Sequence, residues 1–248
     1  MYESHRFCWH GVVSSEPDEA ASFYSKVLGW KLVDIRIGRG ASRAFEAGGA
    51  PIAHLTRTQP GVSSHWACFL RDESIDGRAS LAVMNGGSVI VPPTDIGAGR
   101  VSVLASPSGA RLYLLHEVDE SSQHHPGGVG GVEWVDLQST DLERDLAWLT
   151  STFRFQTSSR AAGAYATLSY KGQPRAGATQ SCLPALPPMW IAWISVADAE
   201  AVVQKAERCA GRALVPLSDA TGGGRWCVLA DGTGTVFGVV ERKGVARE

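Results

Sequence analysis

The amino-acid sequence predicts an α+β protein in which one domain of roughly 125 residues occurs twice. The first observation is a repeat: residues 7–30 correspond to residues 132–155, and residues 89–110 correspond to residues 213–235. The second observation is that each copy repeats a pattern of one strand, one helix and three strands. We therefore expect two similar domains, each with two βαβββ modules that form one curled, eight-stranded mixed sheet.

The first predicted helix of each copy follows a strand and has recognisable ends. In the first copy the apolar residues Ala20, Phe23 and Val27 recur at helical spacing, which predicts one buried face. Glu16 is the expected N-cap acceptor, and Gly29 is expected to end the helix. The corresponding helix of the second copy is expected to begin after Asp141, whose carboxylate suits an N-cap.

The remaining elements follow in the same order in both copies. Three short strands are predicted near 32–37, 43–47 and 51–58. A strand HWACFL then leads to a helix from about Ser74 to Asn85, and the second copy offers MWIAWISV and a helix from Asp198 to Ala210. A polar, glycine-rich stretch separates the copies. We expect a first domain at 1–119, a linker at 120–131 and a second domain at 132–248.

Composition and charge exclude several classes of protein. The net charge of −2 offers no basic surface for nucleic acid, and the apolar stretches are too short for a membrane-spanning helix. The N-terminus contains Glu3, His5 and Arg6, which is unlike a signal peptide. Five cysteines without a C-x-x-C pair fit buried thiols in a reducing compartment. We expect a cytoplasmic monomer or homodimer that binds neither nucleic acid nor membranes.

Three motifs carry a resemblance to a known family. They are the segment FYSKVLGW at 23–30, the strand start His65-Trp66, and the stretch from Val91 to Gly109 that contains VPPTD and GRVSVLASPSG. Together they resemble the vicinal oxygen chelate superfamily, which includes glyoxalase I, extradiol dioxygenases, and fosfomycin- and bleomycin-resistance proteins. The chain is most similar to a two-domain actinobacterial branch described as glyoxalase-like or "hydroxylase", which includes accessory proteins of aromatic polyketide pathways.

The resemblance implies a divalent metal held by histidine or glutamate at four places in a domain. This sequence departs from that pattern at almost every aligned position. The aligned residues are Trp9, His54, Ala67 and Tyr113 in the first domain, and Trp134, Gly177, Ile191 and Gly238 in the second. Only His54 among them is a good ligand, and a stable site needs several. We expect no metal and no cofactor, although a shift of one residue in the alignment would instead place His65 or His10 there.

Aromatic residues share the face on which the family's metal would lie. Strand alternation directs Trp9, Phe69 and Tyr113 to the concave face of the first sheet, and Trp134 and Trp193 to that of the second. Such rings either fill the concavity as core or line a pocket for a planar ligand. Both interpretations stay open for the first domain, and a filled core is favoured for the second. Asp136 shares the same face and lies either within the concavity or at its rim.

Two functions fit these residues. The first is a metal-independent protein that binds or sequesters an aromatic or polycyclic compound, in a natural-product pathway or in resistance. Its ligand-binding residues would be Trp9, His54, His65, Phe69 and Tyr113. The alternative is a metal-free lyase, isomerase or cyclase with a catalytic histidine, His54 or His65, as base and Tyr113 as hydrogen-bond donor.

Overall fold

The computed structural model describes residues 5–37, 40–97, 99–117, 128–160, 165–183, 185–220 and 223–241. These residues form two eight-stranded sheets, one from each half of the sequence, with two helices packed on each. The predicted α+β class and the tandem arrangement of two similar sheets are confirmed.

The elements of the first half alternate as the repeat predicted. The helices are α1 (Pro17–Leu28) and α2 (Ile75–Met84). The strands are β1 (Phe7–Ser14), β2 (Lys31–Ile37), β3 (Gly40–Ala47), β4 (Ala50–Arg57), β5 (His65–Arg71), β6 (Ser88–Asp95), β7 (Gly99–Ala105) and β8 (Arg111–Glu117).

The second half repeats that order. Its helices are α3 (Leu142–Phe153) and α4 (Ala199–Arg208). Its strands are β9 (Val132–Ser139), β10 (Gln156–Arg160), β11 (Tyr165–Tyr170), β12 (Gln173–Gln180), β13 (Met189–Val196), β14 (Arg212–Asp219), β15 (Arg225–Ala230) and β16 (Val236–Glu241).

Both sheets have the same strand order. It is β2-β3-β4-β1-β5-β8-β7-β6 in the first and β10-β11-β12-β9-β13-β16-β15-β14 in the second. The first strands of the two modules, β1 and β5, pair antiparallel at the centre, while β1 is parallel to β4 and β5 is parallel to β8. Residues from four strands of a sheet therefore meet on its concave face.

The helix ends show one difference from the prediction. Gly29 ends α1 in the left-handed region, with a φ of 72°, and Asp141 caps α3 by accepting a hydrogen bond from the backbone N–H of Arg144. The side chain of Glu16, however, does not cap α1. The backbone N–H of Glu16 instead donates to Ser14 Oγ at 3.1 Å, so a hydroxyl two residues earlier orders this turn.

The two domains share one hydrophobic core. Phe23 of α1 and Phe237 of β16 meet edge to face with ring centroids 6.1 Å apart. The indole N–H of Trp148 donates to the carbonyl oxygen of Ala82 in the other domain at 3.0 Å. Trp30 donates in the same way to the carbonyl oxygen of Gly130 at 2.9 Å. Most of the predicted linker, residues 120–127, lies outside the described residues.

The structure agrees only in part with the expectation of buried thiols. All five cysteines are free thiols; Cys8, Cys68 and Cys227 are buried, whereas Cys209 is half-buried and Cys182 is exposed. No helix in the described part of the chain is long and apolar enough to span a bilayer.

Candidate functional site

The structure brings all five predicted site residues together on the concave face of the first sheet. We call this face, lined by Trp9, His54, His65, Phe69 and Tyr113, the first cup. Trp9 of β1 pairs with Phe69 of β5, and Phe69 pairs with Tyr113 of β8, so three neighbouring strands place their rings side by side. The ring centroids of Phe69 and Tyr113 are 5.0 Å apart, and those of His54 and Phe69 are 5.5 Å apart.

His54 is held by the neighbouring indole. Trp9 Nε1 donates a hydrogen bond to His54 Nδ1 at 3.0 Å, which leaves the imidazole proton on Nε2. The ring fills the space above Gly11 on the adjacent strand, where a β-carbon would collide with it. Burial lowers the pKa of His54 to about 4, against a smaller opposing effect of a backbone hydrogen bond with His10. This neutral ring is better placed to fix Trp9 than to accept a proton.

His65 and Tyr113 form the second polar pair of the first cup. His65 Nδ1 lies 2.8 Å from the carbonyl oxygen of Ser63, so Nδ1 carries the proton and donates. His65 Nε2 is then an acceptor, and the Tyr113 hydroxyl donates to it at 2.6 Å. Burial lowers the pKa of His65 and raises the pKa of Tyr113, while the nearby Arg111 partly opposes the effect on the phenol. Near neutral pH the pair is an uncharged imidazole and an intact phenol.

The concave face of the second sheet has a carboxylate where the first has glycine. We call this face, lined by Trp134, Asp136, Tyr165 and Trp193, the second cup. Asp136 Oδ1 accepts hydrogen bonds from Trp134 Nε1 and from the Tyr165 hydroxyl, both at 2.9 Å. Asp136 is only 7% exposed, which places it within the concavity and not at the rim. Burial raises its pKa to about 6, although the hydrogen bonds from Tyr165 and Trp134 oppose this effect.

A loop of the chain itself closes the second cup. We call the described residues 181–183 and 185–188, between β12 and β13, the closing loop. Leu183 and Leu186 from this loop pack on an apolar cluster that includes Ile191, Val228 and Val236. Trp193 packs on the same cluster. The side chains of the second domain therefore occupy its own concavity, in agreement with the filled core favoured from the sequence.

The first cup has no comparable cover among the residues that the structure describes. The corresponding connection, residues 58–64, reads TQPGVSS, and its one aliphatic side chain is that of Val62. Val91 on the edge strand β6 is 38% exposed, whereas its counterpart Val215 packs on the cluster of the second cup. Arg111 stands at the position of the buried Val236. The first cup is thus the more open and more polar of the two.

The residues of neither cup fit the divalent metal that the family's chemistry uses. His54 is the one good ligand among the aligned positions of the first cup, and its Nδ1 already accepts a hydrogen bond from Trp9. In the second cup, Asp136 is surrounded by indole and phenol groups. Across the described residues, no three side chains of histidine, cysteine, aspartate or glutamate are grouped so that they could hold a metal ion.

Sequence reasoning missed two groups of this region. Arg111 was not identified, although it lies two residues before Tyr113 and so on the same face of β8. Tyr165 was also missed, because its counterpart on β3 is Ser42, which is not aromatic and drew no attention to the position. Strand parity was a usable signal for Arg111, whereas nothing in the one-dimensional pattern pointed to Tyr165.

Comparisons with known proteins agree with this architecture. The family model "Glyoxalase/Bleomycin resistance protein/Dioxygenase superfamily" matches residues 6–114. CFP32 of Mycobacterium tuberculosis, which carries a glyoxylase name, is 26% identical over 94% of this chain and 93% of its own length. The anthracycline biosynthesis protein DauV of Streptomyces sp. strain C5 is also 26% identical, over 94% of this chain and 92% of its own.

Solved structures share the two-domain fold. The Mn(II)-bound glyoxalase from Novosphingobium aromaticivorans superposes with a TM-score of 0.67 at 16% identity, over 96% of this chain and 83% of that one. The 2,2',3-trihydroxybiphenyl 1,2-dioxygenase of Sphingomonas wittichii strain RW1 superposes with a TM-score of 0.63 at 13% identity, over 97% and 91%. Residues 6–114 therefore match the model of the glyoxalase/bleomycin resistance protein/dioxygenase superfamily, and the second half of the chain repeats the same fold.

Proposed function

We propose that the first domain binds a small, planar, hydroxylated aromatic molecule in the first cup without a metal. The observation that carries this proposal is the contrast between the two cups of one chain. The second cup is closed by Leu183 and Leu186, while the corresponding connection of the first domain is short of apolar side chains. A concavity lined by rings and not filled by its own loop is the usual form of a small-molecule site.

The aromatic residues of the first cup suit a flat ligand. Phe69 and Tyr113 lie side by side with centroids 5.0 Å apart, and Trp9 lies on the next strand. Rings on adjacent strands present a broad apolar surface at little cost in side-chain entropy. The relative named as an anthracycline biosynthesis protein supports an aromatic ligand, because that name refers to an aromatic class of product.

The polar groups of the first cup, Tyr113 and Arg111, suit a ligand that carries a hydroxyl group beside a carbonyl or phenolate oxygen. The Tyr113 hydroxyl donates to His65 Nε2, and its oxygen, which already interacts with Arg111, has a second lone pair with which to accept a hydrogen bond from a ligand hydroxyl. Arg111 lies close enough to Tyr113 to affect its pKa and would donate to a carbonyl or phenolate oxygen of the same ligand. A hydroxylated aromatic ketone or quinone combines both features.

The test is a titration of the protein with 1,8-dihydroxyanthraquinone, followed by tryptophan fluorescence and calorimetry. The expected result is saturable binding that weakens about tenfold in Tyr113→Phe, the effect of losing one hydrogen bond. The matched control is Tyr165→Phe, which removes a phenol hydroxyl from the second cup and should leave affinity unchanged. Absence of saturable binding, or equal losses in the two variants, would show that the first cup is not the site.

A second candidate is an acid–base enzyme that uses the same pair. His65 Nε2 is unprotonated, and the Tyr113 hydroxyl links it to the concavity. A ligand proton could pass to the Tyr113 oxygen while the phenol proton moves to His65, with no change of oxidation state. Incubation with the bound compound followed by mass spectrometry and NMR separates the two functions. Unchanged compound supports binding alone, whereas an isomerised or cyclised product that disappears in His65→Gln supports catalysis.

A further inference from the structure

A cleft lies between the domains, at the starts of their first strands. It encloses about 440 Å³ and is lined by the starts of β1 and β9 together with parts of β4 and β12. Its aromatic residues include Phe7, Trp9 and Trp134. A volume of this size is within the range of small-molecule sites, which often form at domain interfaces.

Corresponding segments of the two domains face each other across this cleft. Trp9 and Trp134 occupy equivalent positions of the repeat. His54 and Gly177 are also equivalent, because each pairs with the same position of the first strand. Ile52 and Arg175, two residues earlier on those strands, are therefore equivalent as well. Trp9 thus lies at the boundary between the first cup and the interdomain cleft. The cleft is built on the internal symmetry of the chain, but its two sides differ in charge.

The charged residues of the cleft favour an anion. Arg6 and Arg175 line it together with one carboxylate, Glu133, so that its formal charge is positive when His10 is neutral. These groups also interact with other parts of the protein. The guanidinium of Arg175 stands where the first domain has the apolar Ile52, so the second domain supplies positive charge beside the aromatic walls. Arginine is the side chain best suited to bind a planar carboxylate by two parallel hydrogen bonds.

We propose that the interdomain cleft is a second ligand site, which binds a small aromatic carboxylic acid. The ring would lie against Trp9 and Trp134, and the carboxylate would be held by Arg175 with the support of Arg6. Trp9 lines both the first cup and the cleft, but Phe69, Tyr113 and His65 do not line the cleft, so the polar pair of the first cup takes no part in this second site.

The test compares 2-naphthoate with its methyl ester by calorimetry on the full chain. The two probes share the ring system and differ in charge. We expect the carboxylate to bind at least about tenfold more tightly than the ester, a ratio that corresponds to about 1.4 kcal/mol. In Arg175→Ile, which copies the residue of the first domain, that preference should disappear while the affinity for the ester stays the same.

Two further variants complete the test. Arg6→Gln should reduce the preference for the carboxylate, and it provides the same readout if Arg175→Ile does not fold. Tyr113→Phe should leave the binding of 2-naphthoate unchanged, since Tyr113 belongs to the first cup. Equal affinity for the two probes, no saturable binding of either, or loss of naphthoate binding in Tyr113→Phe would each overturn the proposal.

Discussion

The Asp136 carboxylate occupies the space in which Gly177, on the adjacent strand, has no side chain. The first domain has the same arrangement with the roles of the strands reversed, because there the His54 ring of β4 lies over Gly11 of β1. In both domains the acceptor bonds an indole at the same repeat position, at 3.0 Å in the first and 2.9 Å in the second. Each cup therefore keeps one acceptor and one glycine, but on opposite strands.

Gly177→Ala should destabilise the protein, because a β-carbon at this position collides with the Asp136 carboxylate and the Tyr165 hydroxyl. The expected loss in the free energy of unfolding is about 1–3 kcal/mol, the usual cost of overpacking a core. Urea denaturation measures it. The double variant Gly177→His with Asp136→Gly copies the first domain and should be more stable than Gly177→His alone. Strictly additive losses would show that the two positions do not share the space.

Asp136→Asn should stabilise the protein at pH 7.5 and have little effect near pH 4. Burial raises the pKa of Asp136 from 3.8 to about 6, so the folded state binds this proton more tightly than the unfolded chain. The free-energy cost of burying the charged carboxylate is fully present above pH 6 and decreases as the pH falls toward 4. The expected gain at pH 7.5 is about 1–3 kcal/mol by linkage. Urea denaturation at both pH values tests this, and an equal gain at both would contradict the raised pKa.

The two histidines of the first cup should be in opposite tautomers at neutral pH. His54 accepts at Nδ1 and carries its proton on Nε2, whereas His65 donates from Nδ1 to Ser63 and accepts at Nε2. Long-range ¹H–¹⁵N correlation spectra distinguish the two forms. The pKa of His54 is expected at about 4 and that of His65 below 6.5. The unfolded chain thus binds more protons at these sites, so they lower stability as the pH falls below 6.5.

A normal titration midpoint for either ring would contradict this arrangement. Trp9→Phe provides the matched control for His54, because it removes the indole N–H and keeps an aromatic ring. In that variant the Nδ1 atom of His54 loses its donor, and the population of the Nε2–H tautomer should decrease. The tautomer of His65, which depends on Ser63 and Tyr113, should remain as it was.

Asp145→Ala should weaken the junction of the domains. This fully buried carboxylate of α3 accepts hydrogen bonds from the backbone N–H and the hydroxyl of Ser108 in the first domain, and from Ser139 Oγ at 2.6 Å. Removal of the carboxylate leaves several buried donors unsatisfied, so we expect a loss of about 2–4 kcal/mol in thermal or urea unfolding. Ser108→Ala keeps the backbone donor and should cost less. An equal or smaller loss in Asp145→Ala would contradict the assigned role.

Much of the fold could be predicted from the sequence. The repeat relates each residue of one copy to one residue of the other, and strand alternation assigns each strand residue to one face of its sheet. The helices, and the strands β2 to β5 and β13, lie close to the bounds that the sequence predicted for them. The rings of Trp9, Phe69 and Tyr113 share one face, as strand alternation required. The cups were harder to predict. An alignment compares only residues at equivalent positions of the two copies. The His54 side chain, however, fills the space left by Gly11 on the neighbouring strand, and the Asp136 side chain fills the space left by Gly177.

The closing loop shows a second limit of sequence reasoning. Leu183 and Leu186 are ordinary apolar loop residues in the sequence, and only the fold brings them onto Ile191 and Val228. The interdomain cleft is a similar case, since Arg175 and Trp9 are far apart in the chain and belong to different domains. Features that depend on contacts across the repeat cannot be predicted from a pattern within one copy.

The contact between α3 and Ser108 has a consequence for how the two halves of the chain depend on each other. At the opposite junction, the position of Asp145 is taken by the buried Ala20, and the carboxylate comes from the β15–β16 turn, where the charge of Asp231 adds to burial in raising the pKa of Tyr24. A homodimer built from the first half alone would have no carboxylate at either junction, and one built from the second half would bring carboxylates into both. The two halves are thus complementary at their junctions, because the second half supplies the buried carboxylate of both and the first half supplies its partners, Ser108 and Tyr24.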